Sequence, residues 1–319
     1  MKADKIVDWF RLGRWHTAPA TIILLVSSYA AGGGSLFSPL GIALLFYGMA
    51  LHWATFGHNV YCDYWWDLRD PSKSHHPLTA GRIRLEDAVN VVGGILGLLL
   101  VLGLFLAWGD WLATFWFCLF TVGGFLYNNW LSKTTVWGWV PITLCFTSLS
   151  VYAMALGGDV NWVYALYIMF TIWFQIGWSG YLKEILVEEQ ANMLRRLGAR
   201  VEDGRFKAPL KCKLWGVGIK LGNIVTGCCL ISMLPIWMQV VPAALLGLVI
   251  AMLVLLVEDR KWDRSRELRN MSLMEIFTIY AGMFMVMPMH EAAILALLGI
   301  AWFTLMNRLL WSTRLIPRV

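Results

Sequence analysis

The sequence predicts an all-α integral membrane protein of nine to ten spans, on three observations. The first is composition: of 319 residues, 59% are hydrophobic and 14% charged, too apolar for a soluble domain. The second is a succession of long apolar runs, most of them able to cross a hydrocarbon core about 30 Å thick. The third is charge. Lys and Arg fill alternate loops and are missing from the others, as a positive-inside bias requires.

The elements follow in order. Ile6, Val7, Trp9, Phe10 and Leu12 lie among Lys2, Lys5, Arg11 and Arg14. That mixture suits a helix lying at the membrane interface and argues against a cleavable signal peptide. Apolar runs then cover Thr17–Gly33, Leu40–Phe56, Ala88–Trp108, Trp111–Leu126, Val136–Leu156, Val163–Trp178, Trp215–Met233, Val240–Val257, Leu273–Pro288 and Ala292–Leu310. The ninth is interrupted by Glu275 and closed by Pro288, so a re-entrant segment there gives nine spans in place of ten. No Pro/Ser linker divides the chain, which reads as one membrane domain over residues 1–319.

The cationic loops hold Arg69, Lys73, Arg82 and Arg84, then Lys133, then Lys183 to Lys213, then Arg260 to Arg269. Both termini match them, the second through Arg308, Arg314 and Arg318. The loops near Gly34, Asp110, Asp159, Pro235 and His290 have no Lys or Arg. The expectation is cytoplasmic termini and basic loops, in an inner or plasma membrane. These loops account for the net charge of +6. Its partners are membrane lipid and an anionic substrate, not nucleic acid, for which no motif is present. The six Cys form no CxxC pair and read as apolar fillers. Glu86 and Asp87 fit a helix start. His52 reads as a hydrogen-bonded core histidine, His75 and His76 lack metal-site spacing, and Glu258–Ser272 reads as a solvated connection.

Asn59, Asp63 and Asp67 recur every four residues in an otherwise apolar helix, stacking on a face that continues through Phe56 and His52. Acidic groups at a membrane boundary are costly unless compensated, and aligned carboxylates repel. A divalent cation relieves both problems. Oxygen ligands of this kind suit Mg²⁺, which takes one or two carboxylates and completes its shell with water and phosphate. A solvated helix end is the bland alternative. The second long loop repeats the spacing: Glu184 and Glu188 follow a span, with Lys183 before them and Arg195 and Arg196 after. Glu189 points off that face. Alone this is an ordinary surface helix; paired with the first loop it is a second metal–diphosphate half-site. Lys73, Lys133, Lys183, Arg195 and Arg196, with Arg69 and Arg82, are the candidate phosphate clamps. An allylic cation left by ionisation would be stabilised by aromatic faces, about 0.5–2 kcal/mol each. Trp53, Trp65, Trp66, Tyr127, Trp130, Trp173 and Trp178 stand near the inner ends of spans. Asn128, Asn129 and Asn223 either line a cavity or bond across helices.

The run N-V-Y-C-D-Y-W-W-D at 59–67 resembles the N-x-x-x-D-x-x-x-D motif of the UbiA superfamily of intramembrane prenyltransferases. H-P-L-T-A-G-R-I at 76–83, Y-N-N-W-L-S-K at 127–133 and Y-L-K-E-I-L-V-E at 181–188 are similar to its later elements. The resemblance implies a helical bundle around a central cavity, with a cytoplasmic cap holding two Mg²⁺ ions. It implies prenyl transfer from a polyprenyl diphosphate to an apolar acceptor, aromatic or lipid. By position, Asn59, Asp63 and Asp67 would bind one metal and Glu184 and Glu188 the other. Lys73, Lys133 and Lys183 would contact diphosphate, with Asp63, Asp67 and Lys183 catalytic. The chain departs from the pattern at Glu184 and Glu188, where the family has Asp, and at His76, where it has Arg.

Three other readings stand beside this one. A UbiA-type terpene cyclase needs the same metal machinery and no acceptor. A transporter fits a polytopic chain, but its acids would line the span middles, which are almost free of charge. A CDP-alcohol phosphotransferase needs a D-G…A-R signature that is absent.

Overall fold

The computed structural model describes residues 3–70, 73–188 and 190–311; Glu189, Lys2, Arg314 and Arg318 lie outside them. The chain opens with α1 (Ala3–Leu12), α2 (Ala18–Ala31) and α3 (Pro39–Cys62). Both α2 and α3 carry Pro in the first turn, where a missing N–H costs nothing. Then come α4 (Tyr64–Asp67), α5 (Leu85–Leu106), α6 (Trp111–Leu126), a wide π turn over Tyr127–Leu131 and α7 (Ser132–Thr134). α8 (Trp139–Gly157) and α9 (Trp162–Phe174) follow, then a second π turn over Gln175–Gly180, α10 (Tyr181–Lys183) and α11 (Met193–Arg196). The chain closes with α12 (Leu210–Ser232), α13 (Ile236–Met252), α14 (Val254–Val257), α15 (Arg264–Val286) and α16 (Met289–Trp311).

Seven helical stretches among the described residues are long and apolar enough to cross a membrane: Pro39–Cys62, Leu85–Leu106, Trp111–Thr134, Trp139–Gly157, Leu210–Ser232, Ile236–Val257 and Met289–Trp311. The other three apolar runs are helical too. α2 has only 14 residues, α9 passes into a π turn, and α15 begins with the charged stretch Arg264–Arg269.

Long-range contacts sort the loops into two ends. At one end Arg11 Nε donates to Leu310 O (2.7 Å), Arg82 pairs with Asp8 (3.0 Å) and Lys133 pairs with Glu184 (2.8 Å). At the other, Asp159 N donates to Gly32 O (3.1 Å) and Glu291 accepts from Ser35 (2.7 Å) and Leu36 N (2.9 Å). The cation-rich loops share the first end, as the charge alternation implies.

The chain is not wholly α. Strands β1 (Arg200–Glu202), β2 (Arg205–Lys207) and β3 (Arg260–Lys261) form an antiparallel sheet in that order. Asp203 and Gly204, both at positive φ (51° and 67°), make the two-residue turn that joins β1 to β2. The sheet also corrects the reading of Glu258–Ser272 as a solvated connection. Phe206 is buried beneath the Arg260 guanidinium, and Arg260 Nε donates to the buried Glu267 (2.8 Å).

Two charges lie deep between helices. Lys220 on α12 is fully buried, 3.6 Å from the Glu275 carboxylate on α15, bonded to Thr278 Oγ1 (3.1 Å) and set over the Phe174 ring. Removing one partner leaves the other uncompensated, at a cost of about 3 kcal/mol. Lys220→Met should therefore lower the unfolding temperature in detergent, and adding Glu275→Met should recover most of the loss. A double variant no more stable than the single would rule out the pair as the cause.

Candidate active site

α3 ends at Cys62, yet its hydrogen-bond ladder runs on. Asp63 N donates to Asn59 O (2.9 Å) and Asp67 N to Asp63 O (2.9 Å). The three side chains thus keep the spacing the sequence implied, with Asp63 and Asp67 buried at 7% and 8% exposure. The acids approach the second loop through one ammonium. Lys133 Nζ lies 2.8 Å from Glu184 Oε1 and 3.8 Å from Asp63 Oδ2, with Gln190 Oε1 at 3.4 Å. Ser132 Oγ donates to Asp63 Oδ1 (3.3 Å), and Asn59 Nδ2 donates to Asp63 Oδ2 (3.3 Å) and Asn128 Oδ1 (3.1 Å). Both Ser132 and Asn128 come from the stretch that the first π turn widens toward α3.

Lys73 and Lys183 stand within electrostatic reach of this group and of each other. Burial pushes both ammonium groups down, Lys183 well below the usual lysine range, with Lys73, Arg14 and Lys133 repelling it and Glu184 opposing the shift. A fourth cation joins them. Arg14 holds the left-handed region (φ 49°), lies over the Phe56 ring at 5.5 Å and lines the adjoining cavity. Gly13 makes this path possible: a Cβ there would meet Trp53 Cδ1 at 2.2 Å.

Other expected residues are placed differently. Helix α10 stops at Lys183 because Glu184 leaves helical geometry (φ −104°, ψ 17°) and Asn192 Nδ2 takes the Tyr181 carbonyl (2.7 Å). Glu184 and Glu188 therefore do not share a helical face, and Glu188 is exposed. Arg195 bonds the Gln190 carbonyl, shaping the loop behind Lys133, while Arg196 is exposed. Arg82 is held by Asp8 and by the His75 carbonyl (2.9 Å). His52 bonds Thr17 (3.1 Å) and Thr21 (2.8 Å), as a core histidine would. His76 is buried with neither ring nitrogen hydrogen-bonded, and burial pushes it down to about 3, so it is neutral.

Beside Asn59 and Asn128 opens a cavity of about 180 Å³. Arg14 is the charged residue of its lining. Its walls are Phe56, Leu96, Leu100, Phe120, Phe125, Tyr127, Ile142, Phe146 and Ile176. Of the aromatic residues near the inner ends of spans, Tyr127 lines this cavity and none of the Trp does. Trp53 donates to Trp9 O (2.8 Å), Trp173 stacks on Trp139 at 4.6 Å, Trp178 is core, and Trp65 and Trp130 are exposed. The other rings of the lining are those of Phe56, Phe120, Phe125 and Phe146.

The donor set fits a hard divalent cation. It offers carboxylate and amide oxygens at a buried, cation-flanked position, without thiolate or imidazole. No three His, Cys, Asp or Glu converge tightly among the described residues. Mg²⁺ needs only one or two carboxylates, since water and phosphate complete its shell. Burial pushes the Asp63 carboxyl up to about 6; Lys133 and Arg14 oppose this, while Asp67 and Glu184 add to it. A raised acid burdens the fold when ionised. Its cost is absent below about pH 4 and grows through pH 6, to about 3 kcal/mol. The metal-free protein should thus lose thermal stability from pH 5 to 7, and Asp63→Asn should flatten that trend. Added Mg²⁺ with pyrophosphate needs the ionised acid, so it should stabilise more at pH 7 than at pH 5.

A family model for the UbiA prenyltransferase family matches residues 20–287. No curated protein matches the sequence. Among solved structures, one from work on digeranylgeranylglyceryl phosphate synthase superposes with a TM-score of 0.65 at 17% identity, covering 88% of this chain and 98% of that one. A UbiA homologue from Archaeoglobus fulgidus bound to GPP and Mg²⁺ gives 0.61 at 14% identity, covering 88% and 99%. An apo UbiA homologue from Aeropyrum pernix K1 gives 0.59 at 14%, covering 84% and 96%. At these identities the likeness is one of fold.

Proposed function

This chain belongs to the UbiA prenyltransferase family, and from that premise we propose that it transfers a prenyl group from a prenyl diphosphate to a lipophilic acceptor within the membrane. The observation that carries the proposal is Lys133 drawing Asp63 and Glu184 together, with Asp63 bonded to Asn59, which lines an apolar cavity. One end of the site suits a diphosphate and the other a hydrocarbon. The solved homologue bound to GPP and Mg²⁺ supports both the substrate class and the ion.

Asn59, Asp63 and Asp67 would hold one Mg²⁺, with Glu184 facing them for a second, while Glu188 is exposed and stands outside that set. Mg²⁺, when bound, neutralises charge on the departing diphosphate. Lys73, Lys133, Lys183 and Arg14 gather the anion and stabilise it as the allylic C–O bond breaks and its electron pair leaves with oxygen. Lys73 and Lys183, both depressed by burial and by neighbouring cations, gain a partner when that anion arrives. The allylic cation meets the faces of Phe56, Phe120 and Tyr127, while apolar walls exclude water. The acceptor's electron pair then forms the new bond to the prenyl carbon and the acceptor gives up a proton. The cation-rich end would face the cytoplasm, with nine to ten helices crossing the membrane and residues 1–319 forming one domain.

The test is product analysis. Membranes containing the protein are incubated with labelled prenyl diphosphates, Mg²⁺ and a lipid extract, then examined by mass spectrometry. A prenylated conjugate is expected. A free hydrocarbon or alcohol would replace transfer by cyclisation, and no diphosphate release would remove the enzymatic reading.

A further inference from the structure

We infer that a second anion site lies beside the first: a small pocket between Arg14, His16, Lys73, His76 and Trp311 that seats one oxygen of a phosphate or carboxylate. Arg11 and His75 complete its lining, which holds no carboxylate among the described residues. Three segments build it: the turn between α1 and α2, the turn after α4, and the end of α16. The first and third lie outside residues 20–287, the part of the chain that matches the family model. The pocket is thus formed largely by this chain's own extensions. Its volume is about 10 Å³, room for a single group the size of a water.

The hydrogen-bonding state of the walls points to an acceptor. Trp311 Nε1 donates to His16 Nδ1 (3.2 Å). An indole N–H only donates, so Nδ1 is bare and the ring carries its hydrogen on Nε2. That N–H has no acceptor, although His16 is 1% exposed. Neither nitrogen of the buried His76 is bonded, and a neutral imidazole always has one N–H. Buried donors without partners are costly. Two of them, on a pocket that Arg14 and Lys73 also line, call for an oxygen that carries negative charge. A water would satisfy the donors and leave the positive field in place. A metal ion would be repelled: the groups bearing most on His76 are Arg14, Lys73, His75 and Arg82, and all disfavour a positive charge there.

The walls are held from outside. Arg11 donates to Leu310 O (2.7 Å) and to Asp8 (2.9 Å), and lies over the Trp311 ring at 5.4 Å. Trp302 Nε1 donates to Trp15 O (2.9 Å). Helix α16 therefore anchors the turn that carries Arg14 and His16. Arg14 also lines the apolar cavity, and Lys73 stands within electrostatic reach of Asp67 and Glu184. These two cations connect the pocket to the site that holds the acids. A lipid headgroup seated in the pocket would set its attached chain beside the cavity, whereas a soluble anion brings no chain.

The experiment reads thermal unfolding of the detergent-solubilised protein in EDTA, with inorganic phosphate as the first probe. Phosphate should stabilise the wild type. His76→Leu removes both unbonded ring nitrogens, and His76→Gln puts an amide N–H back. His16→Asn keeps an acceptor for Trp311, because Asn Oδ1 stands where Nδ1 stood, and removes the Nε2 donor. It also covers the case in which His76→Leu does not fold. The phosphate concentration for half-maximal stabilisation should rise about tenfold or more in His76→Leu and His16→Asn, the loss of a hydrogen bond to a charged group, and stay within about threefold in His76→Gln. Micelles carrying phosphatidic acid, with phosphatidylcholine as the blank, are the second probe. Stabilisation by phosphatidic acid well below the phosphate concentration assigns the pocket to a lipid headgroup; the reverse assigns it to a soluble anion. No stabilisation by either probe overturns the site, and so does wild-type behaviour in His76→Leu or His16→Asn. Asp63→Asn should lose the response to Mg²⁺ with pyrophosphate and keep the response to phosphate. Loss of both would make the pocket part of one diphosphate site and end the proposal. A wild type that responds to phosphate but not to Mg²⁺ with pyrophosphate keeps the pocket and removes the metal site.

Discussion

Asp63→Asn should lower prenyl transfer by about 10²–10³-fold, the loss expected when one preorganised electrostatic partner of the leaving group is removed. The substitution preserves size; the new carbonyl oxygen can accept from Asn59, while the NH₂ group takes the other position and makes Ser132 Oγ the acceptor instead of the donor. What disappears is the negative charge. Burial already makes that charge reluctant, with the carboxyl raised to about 6. The variant should accordingly be as heat-stable as the wild type at pH 7 without metal, or more so, while failing to turn over. This opposition separates a catalytic acid from a structural one, since a structural acid would lose stability and activity together. Asp67→Asn should lose activity in the same way. The measurements are product formation per correctly inserted molecule and the unfolding temperature of the same preparation. Turnover near that of the wild type in Asp63→Asn would remove the first metal site.

Much of this was legible in the sequence, because hydrophobic length and charge segregation are physical constraints that act residue by residue. The Asn59–Asp63–Asp67 spacing survived because the backbone ladder continues past the end of α3. The Glu184–Glu188 spacing did not, because the chain there is decided by tertiary bonds. The second π turn and the Asn192 contact to Tyr181 stop the helix at Lys183, and no periodicity reports that. Arg14 looked like one more cytoplasmic charge. Its place in the site depends on Gly13 lying against Trp53 and on a left-handed φ, both contacts between distant segments. Lys220 was hidden inside an apolar run, since a mid-span charge declares itself only when its partner on α15 is known. The E-D-G-R turn at 202–205 was readable, as Asp-Gly is a strong two-residue hairpin signal, but its strands are only three residues long with two charges each, too short for hydrophobic alternation to show. The contact between His58 and Asn128, 70 positions apart, is likewise one that no local pattern reports.

Lys133→Met carries the second large expectation, and it discriminates between two roles for one ammonium. Lys133 is half of two ion pairs and has 11% side-chain exposure. Removing it leaves Asp63 and Glu184 facing each other without the charge between them. Like charges sharing a buried site repel, and breaking a buried pair costs about 3–5 kcal/mol. Solvent reaches Glu184, whose side chain is 27% exposed, so the lower end of that range applies. Without metal, Lys133→Met should unfold several degrees below the wild type. Mg²⁺ should repair this, because a divalent cation between the carboxylates does what the ammonium did. The gain in unfolding temperature on adding Mg²⁺ should therefore be larger in Lys133→Met than in the wild type, where the cation must first displace Lys133 from Glu184. Turnover should still fall by about 10²-fold, since the anion loses one of its cations as charge develops. Lys133→Arg should not restore it fully, because a planar fork does not replace a compact point charge. If Lys133 only stapled the loops together, Mg²⁺ would restore activity along with stability. If it only bound phosphate, the metal-free protein would unfold at the wild-type temperature. The combination of lost metal-free stability, an enlarged Mg²⁺ response and unrestored turnover is specific to a residue that guards the acids until the ion arrives and then serves the diphosphate.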